Sequence, residues 1–286
     1  MSKAFDKTKY RLAAFDLDGT LLNFGKISEE TVLALQQLHR SGITVAIATG
    51  RGQPTVPPKL LNLGCFDYVI SSNGACVIEL ESGNVLQRVA ISPKLALKAV
   101  SCVKRHHGES SAFLESCILL SWRGLHRITR NVSKKEREEI KAEFYSSSKI
   151  TPWFSRTLLK TKEPIYKINS FFPNKRDCAT ALDEVNRIYG LFALTTRGDD
   201  LEITAHGVSK ATGLSALCNF LGIAPSEVAA FGDSQNDYEM LQAAGFSVAM
   251  GNADEKIKRI SDYIAPPADK SGAAKAIFKL FFDKED

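Results

Sequence analysis

The chain has 286 residues, 44% of them hydrophobic and 24% charged, with a formal net charge of +5, a composition ordinary for a globular protein with a real core, in one large domain or two smaller ones. No stretch approaches the ~18 apolar residues of a membrane span, and the charged N-terminal run MSKAFDKTKYRL lacks the apolar core of a signal peptide. Six cysteines, at 65, 76, 102, 117, 178 and 218, are scattered without a CxxC pair; they read as buried or incidental thiols, so a reducing, cytoplasmic location is expected.

The apolar run Leu12-Ala13-Ala14-Phe15 leads into Asp16-Leu17-Asp18-Gly19-Thr20, a short buried strand closed by a turn signal. Residues i and i+2 of a strand point the same way, which would set Asp16 and Asp18 side by side at the strand end, where open α/β sheets bind ligands. Two carboxylates so placed repel each other and must be desolvated, an arrangement that calls for a cation or a proton. DxDGT alone would equally suit a plain Asp-Gly turn with one incidental acid.

Ser28 can cap a helix running to His39, with Val32, Leu35 and Leu38 on one face and Gly42 as its stop. ITVAIATGRG then reads as a second buried strand ending in Thr49-Gly50-Arg51. A βαβ unit of this length implies parallel strands, which brings Thr49 towards Asp16. QPTVPPKLLNLG is a loop and short helix, DYVISSNGA carries a third strand, and a hairpin through ESGN follows.

From about residue 88 the rhythm changes. SPKLALKAVSCVKRHHG is a capped helix stopped by Gly108, followed by strand-like SAFLES and CILLSW, a helix near SKKEREEIKAEFY, the strand YKINSFF, the helix RDCATALDEVNRIYG and the strand FALTTR. This order indicates an inserted α+β module over 88–194, splitting a doubly wound α/β core of residues 1–87 and 195–286. The insertion would close over the site on hinges near 84–90 and 194–200. It carries 20 Lys+Arg and 10 Asp+Glu, against 17 and 22 in the rest of the chain. Alternation resumes with LEITA, the helix KATGLSALCNFLG, the strand VAAFGD, the helix NDYEMLQAAG, the strands SVAMG and YIAPP, and a last helix GAAKAIFKLFF.

Three further stretches carry chemistry. Thr49-Gly50 offers a hydroxyl and a backbone N–H at a strand end, suited to phosphate oxygens. Lys210 in GVSKATGL opens a helix, where the dipole prefers anions, so a bound anion would explain a lysine there. GDSQND, residues 232–237, sets Asp233 at another strand end, with Asn236 and Asp237 opening the next helix.

In order, DLDGTLL, ATGR, the lysine of GVSK and GDSQND resemble the four motifs of the haloacid dehalogenase superfamily, and the chain is similar to its Cof-type, subfamily IIB phosphatases over nearly its whole length. The resemblance implies a Rossmann-like parallel-sheet core with a C2B-type α+β cap. It further implies Mg2+-dependent hydrolysis of small phosphate monoesters (sugar phosphate, nucleotide or cofactor phosphate) through an aspartyl-phosphate. Asp16 would be the nucleophile and Asp18 the acid/base. Mg2+ would be held by Asp16, the Asp18 carbonyl and Asp233, with Ser234 close by. Phosphate would be bound by the Leu17 main chain, Thr49, Gly50, Lys210 and Asn236, with Asp237 in support.

Arg123, Arg127 and Arg130 are the cap residues best suited to grip an anionic substrate, since a guanidinium binds phosphate or carboxylate bidentately. A basic face that attracts a small phosphorylated metabolite is favoured for residues 123–137 over nucleic-acid binding, and no membrane partner is expected. His106-His107 reads as a solvated helix tip. Besides hydrolysis, two functions stay open: phosphoryl transfer to another acceptor on the same core, as in phosphomutases, and a non-catalytic anion- or nucleic-acid-binding module.

Overall fold

The computed structural model describes residues 5–124 and 147–283. The helix expected near 133–145 lies outside them, as do His126, Arg127 and Arg130. The described chain divides into two compact units, one formed by Met1–Gly50, Pro57–Gln87 and Ser209–Asp286, the other by Arg51–Val56 and Arg88–Val208.

The first unit begins with β1 (Leu12–Phe15), α1 (Glu29–Arg40) and β2 (Thr44–Ala48), followed by α2 (Pro58–Leu61), β3 (Tyr68–Ser71), β4 (Cys76–Glu79) and β5 (Val85–Arg88). Ser28 caps α1 by accepting the Thr31 N–H, and Gly42 turns the chain at φ 89°. The inserted unit contributes α3 (Pro93–Arg105), β6 (Glu109–Leu114), β7 (Ile118–Leu120), β8 (Ser148–Ile150), α4 (Phe154–Lys160), β9 (Ile165–Phe171), α5 (Lys175–Asn186), β10 (Leu191–Leu194) and β11 (Asp200–Ala205). The chain then returns to the first unit with α6 (Lys210–Leu221), β12 (Val228–Gly232), α7 (Tyr238–Ala243), β13 (Phe246–Ala249), α8 (Glu255–Ile260), β14 (Tyr263–Ile264) and α9 (Gly272–Ile277).

The first unit's sheet runs β14-β13-β12-β1-β2-β3-β4-β5. β14 to β3 pair in parallel, whereas β4 pairs antiparallel with β3. The core sheet is therefore mixed rather than wholly parallel. Only a short turn separates β3 from β4, too short for the crossover that a parallel neighbour needs. β1 sits between β2 and β12, and all four of its residues are fully buried. Across that pairing the rings of Phe15 and Phe231 stack with centroids 4.3 Å apart. Under the sheet Leu12, Ala14, Ala46 and Ile70 pack with Leu214 and Leu217 of α6 and Met240 of α7. Strands buried on both faces read as continuous apolar runs, which is why LAAF, VAIA and VAAF carry no polar alternation.

The inserted unit has its own sheet, ordered β10-β11-β9-β6-β7-β8. Its pairings are antiparallel except β7 with β8, and α3, α4 and α5 supply the rest of its core. LEITA, which the alternation assigns to the core, forms β11 here, hydrogen-bonded to β9 and β10. A five-residue apolar alternation signals a strand but not the sheet it joins. The inserted unit consequently extends to Val208 rather than 194, and residues 194–200 lie within it instead of forming a hinge. At the end of α3, His106 is the C-cap and His107, not Gly108, takes the left-handed turn at φ 60°.

Candidate active site

In the first unit β1, β2 and β12 end at the same edge because they run parallel, and the motif residues lie just beyond those ends. The β1 ladder closes with the Asp16 N–H donating to the Phe231 carbonyl at 3.0 Å. The chain then turns, with the Leu17 carbonyl accepting the N–H of Leu22 at 2.7 Å. Asp16 is only 4% exposed, while Asp18 is exposed. The two acids expected side by side thus have unlike surroundings, because the strand ends at Phe15 and the turn carries Asp18 outward. Gly19 lies at φ 88°, and a Cβ there would fall 2.2 Å from Asp233 Oδ2. Only glycine lets the two loops meet so closely.

Lys210 reaches this edge from the first turn of α6, whose N-cap Ser209 exchanges hydrogen bonds with Thr212 in a capping box. The helix comes close because it carries a glycine: a Cβ on Gly213 would lie 2.5 Å from Ile70 Cγ2 and 2.8 Å from Gly74 Cα. The Lys210 ammonium donates to Asp16 Oδ1 and to Asp237 Oδ1, each at 2.6 Å, with the lysine wholly buried. The other Asp237 oxygen accepts the N–H groups of Asp233 and Ser234, both at 3.0 Å. Asp237 therefore ties the lysine to the GDSQND loop. Thr49 is buried at the end of β2, its N–H donating to the Ile70 carbonyl at 2.8 Å. Asn236 Nδ2 donates to Asn73 Oδ1 at 3.2 Å, and Ser234 Oγ donates to Asn236 Oδ1 at 2.6 Å.

Carboxylate oxygens of Asp16, Asp233 and Asp237 all lie within 4.8 Å of one another. Burial, then the Asp237 and Asp233 charges, push Asp16 well above the usual carboxylate range, with Lys210 opposing. Burial and Asp237 raise Asp233 to about 7. Burial alone would lower Lys210, but Asp16 and Asp237 hold it above its ordinary value. Three carboxylates facing one ammonium leave an excess of negative charge that a divalent cation would neutralise. All the donors are hard oxygens, the set that Mg2+ takes. The residues present therefore fit that ion.

Two residues of this edge escape the motif pattern. Asn73, 3% exposed at φ 58°, donates its N–H to the Thr49 carbonyl at 3.1 Å. Its signal is Asn-Gly in SSNGA, a turn dipeptide inside an apolar run. Asn252 Nδ2 donates to the Gly19 carbonyl at 2.9 Å and to Asp233 Oδ2 at 3.3 Å; GNA after a strand carries no comparable signal.

In the inserted unit Arg123 is exposed and lines a cavity of about 610 Å³ with Trp122, Trp153 and Arg156. Val100 and Phe154 in the same lining set this cavity on the face of the sheet that carries α3 and α4. His106, read as a solvated tip, instead has Nε2 2.7 Å from Glu184 Oε2, and Arg105 pairs with the other oxygen of that carboxylate. All six cysteines are free. Among the described residues no helix is long and apolar enough to cross a membrane.

Residues 13–277 match the haloacid dehalogenase-like hydrolase family. The chain is 32% identical to phosphatase YwpJ of Bacillus subtilis over 92% of this chain and 97% of that protein. It is similar in structure to a haloacid dehalogenase-like hydrolase from B. subtilis, with a TM-score of 0.82, 28% identity and coverage of 94% and 99% of the two chains. The fold is also that of a subclass IIB sugar phosphatase, with a TM-score of 0.79 at 24% identity, covering 95% and 98%. With its motif residues gathered on one sheet edge and a second α+β unit inserted between them in sequence, the chain belongs to the haloacid dehalogenase superfamily, as a phosphatase.

Proposed function

We propose that Asp16 is the nucleophile of a Mg2+-dependent phosphohydrolase acting on small phosphate monoesters, a sugar phosphate, nucleotide or cofactor phosphate. The observation that carries this reading is the buried Lys210–Asp16 contact of 2.6 Å, with Asp233 and Asp237 gathered around it. A phosphate monoester is an anion, so an anionic nucleophile needs fixed positive charge beside it. Lys210 supplies one such charge. Mg2+, when bound by Asp16, the Asp18 carbonyl and Asp233 with Ser234 close by, would screen the phosphoryl oxygens further.

The Leu17 and Gly50 main chain, the Thr49 hydroxyl, Asn236 and Lys210 hold the phosphoryl group in line with Asp16. An Asp16 oxygen attacks phosphorus, the ester P–O bond breaks, and Asp18 gives its proton to the leaving oxygen. Asp18 then takes a proton from water as that water attacks the aspartyl-phosphate, releasing phosphate and freeing Asp16. Exposure suits Asp18 to a group that must meet both a leaving alcohol and a water molecule. Asp237 holds Lys210 in position. The inserted unit corresponds to a C2B-type cap and selects the substrate body.

Asp16→Asn removes the attacking oxygen and a metal ligand, so turnover is lost while the fold survives. Asp18→Asn costs roughly 10²- to 10⁴-fold, and less for aryl phosphates, whose leaving groups need little protonation. Near wild-type turnover in Asp16→Asn would sink the assignment. Phosphate and alcohol released in equal amounts in water separates hydrolysis from transfer to a second acceptor.

A further inference from the structure

The chain contains two tryptophans, Trp122 and Trp153. Tryptophan is well buried on average, because an exposed indole leaves a large apolar area in water. Here Trp122 is 60% exposed and Trp153 68%. Trp122 lies just after β7 and Trp153 is the N-cap of α4, and both line the cavity of about 610 Å³.

That cavity is lined by the inserted unit alone, and by none of the motif residues. Its size is within the range of small-molecule pockets, about 300–1,000 Å³. Lys104 of α3, Arg123 and Arg156 of α4 share its wall with the indoles, and Glu109 is its one carboxylate. None of the three cations is in an ion pair among the described residues. Three cations against one carboxylate leave the wall at +2.

A hydroxyl adds a directional contact. Ser110 and Ser170 pair across β6 and β9 with their oxygens 3.0 Å apart, and both are buried. Each hydroxyl has one proton to donate, so one bond between them leaves the other proton without an acceptor among the described residues. Ser110 is the member of the pair that lines the cavity. An unmet buried donor is a cost that an acceptor on a ligand removes.

We propose that this cavity binds a nucleoside monophosphate, with its base against Trp122 and Trp153 and its phosphate among Lys104, Arg123 and Arg156. Every base offers a π-face to an indole. A phosphate monoester carries about two negative charges at neutral pH, which matches the +2 of the wall. A guanidinium meets its oxygens bidentately, and a ribose or phosphate oxygen accepts from Ser110. Inorganic phosphate lacks the base and a nucleoside lacks the charge, so neither satisfies both parts. The site uses no group of the proposed hydrolysis and is independent of it.

Because both tryptophans line the cavity, their fluorescence reports on it without any turnover. The full chain, with no metal added, is titrated with AMP, adenosine, ribose 5-phosphate and inorganic phosphate. AMP should change the emission saturably, and the other three should bind at least about tenfold more weakly. Arg156→Ala and Trp153→Ala alter exposed side chains and should each weaken AMP about tenfold, whereas Trp153→Phe keeps a stacking face and most of the affinity. Asp16→Asn should bind AMP within about twofold of wild type, since the cavity holds no motif residue. With Mg2+ present, Arg156→Ala and Trp153→Ala should turn over an aryl phosphate within about twofold of wild type. No saturable change in wild type, equal affinity for phosphate or ribose 5-phosphate, or AMP binding indifferent to both substitutions would overturn the inference. So would loss of AMP binding in Asp16→Asn, or loss of aryl phosphate turnover in the cavity variants. A wild type inactive on every ester would refute the phosphatase reading alone, because the fluorescence titration decides this one without it.

Discussion

Lys210 Nζ and Asp16 Oδ1 are 2.6 Å apart, and the lysine side chain has no exposure to solvent. The lysine enters from α6 and the aspartate from the residue just after β1, 194 residues apart in the chain. Removing one partner of a buried pair leaves an uncompensated charge, at a cost of about 3–5 kcal/mol. Lys210 balances Asp237 as well as Asp16, so Lys210→Met should be among the most destabilising substitutions at the site. It also removes a fixed charge from the phosphoryl oxygens, and kcat should fall about 10²- to 10³-fold. Denaturant unfolding and steady-state kinetics on the same preparation measure both effects. A variant that loses stability but keeps kcat would make Lys210 a structural counter-ion only.

The cluster of Asp16, Asp233 and Asp237 leads to a prediction about the metal. A chelator should abolish turnover, and Mg2+ should restore it fully. Mg2+ binding only to the folded state stabilises it by RT ln(1 + [Mg2+]/Kd), about 2.7 kcal/mol at 100 times Kd. The Tm should therefore climb with Mg2+ concentration, and the climb should vanish in Asp233→Asn. A Tm indifferent to Mg2+ in the wild type would count against the ion's binding there.

Much of this site is legible in the sequence because each motif couples a short apolar run to a turn, and buried parallel strands necessarily end where such runs end. Asp16, Thr49 and Asp233 all follow from that rule. The rule fails where local signals say nothing of partners. LEITA is a strand by alternation, yet its pairing with β9 rather than the core is decided by contacts distant in the chain. Asn252 reaches the site through a tertiary bond to Gly19, which no spacing records. Nothing in the strand signal of YKINSFF marks Lys167 as buried, which follows from its pairing with Glu202 across the sheet.

Glu184 supplies a pH prediction away from the site. Hydrogen bonds from His106, then Arg105, hold its carboxyl down at about 2, from an ordinary 4.5. A depressed folded-state pKa means stability that is present in full above the unfolded value and lost as pH falls through the folded one. The stability difference between wild type and Glu184→Gln should be constant above about pH 5, shrink below 4.5 and vanish near 2. The pair is partly exposed, so the difference should be small and should shrink with added salt. Urea unfolding of both proteins across that range tests it; a difference that grows on acidification would reverse the assigned sign.

Asn252 joins three parts of the first unit through one side chain. Its Nδ2 donates to the Gly19 carbonyl and to Asp233 Oδ2, while its Oδ1 accepts the Ala268 N–H at 2.9 Å. Thr20 Oγ1 donates to the other Asp233 oxygen at 3.3 Å. Asp233 is thus aimed from both sides, and groups that orient a metal ligand typically matter 10- to 100-fold in metal affinity. Asn252→Ala should raise the Mg2+ concentration needed for half-maximal activity by about that factor. Saturating Mg2+ should then return kcat to near the wild-type value, because Asn252 makes no contact with Asp16 or Lys210 in the hydrogen-bond network above. Thr20→Val should act in the same direction and less strongly, its bond being at the long end of the hydrogen-bond range. A loss of kcat that excess Mg2+ does not repair would instead place Asn252 among the groups that shape the phosphoryl pocket itself.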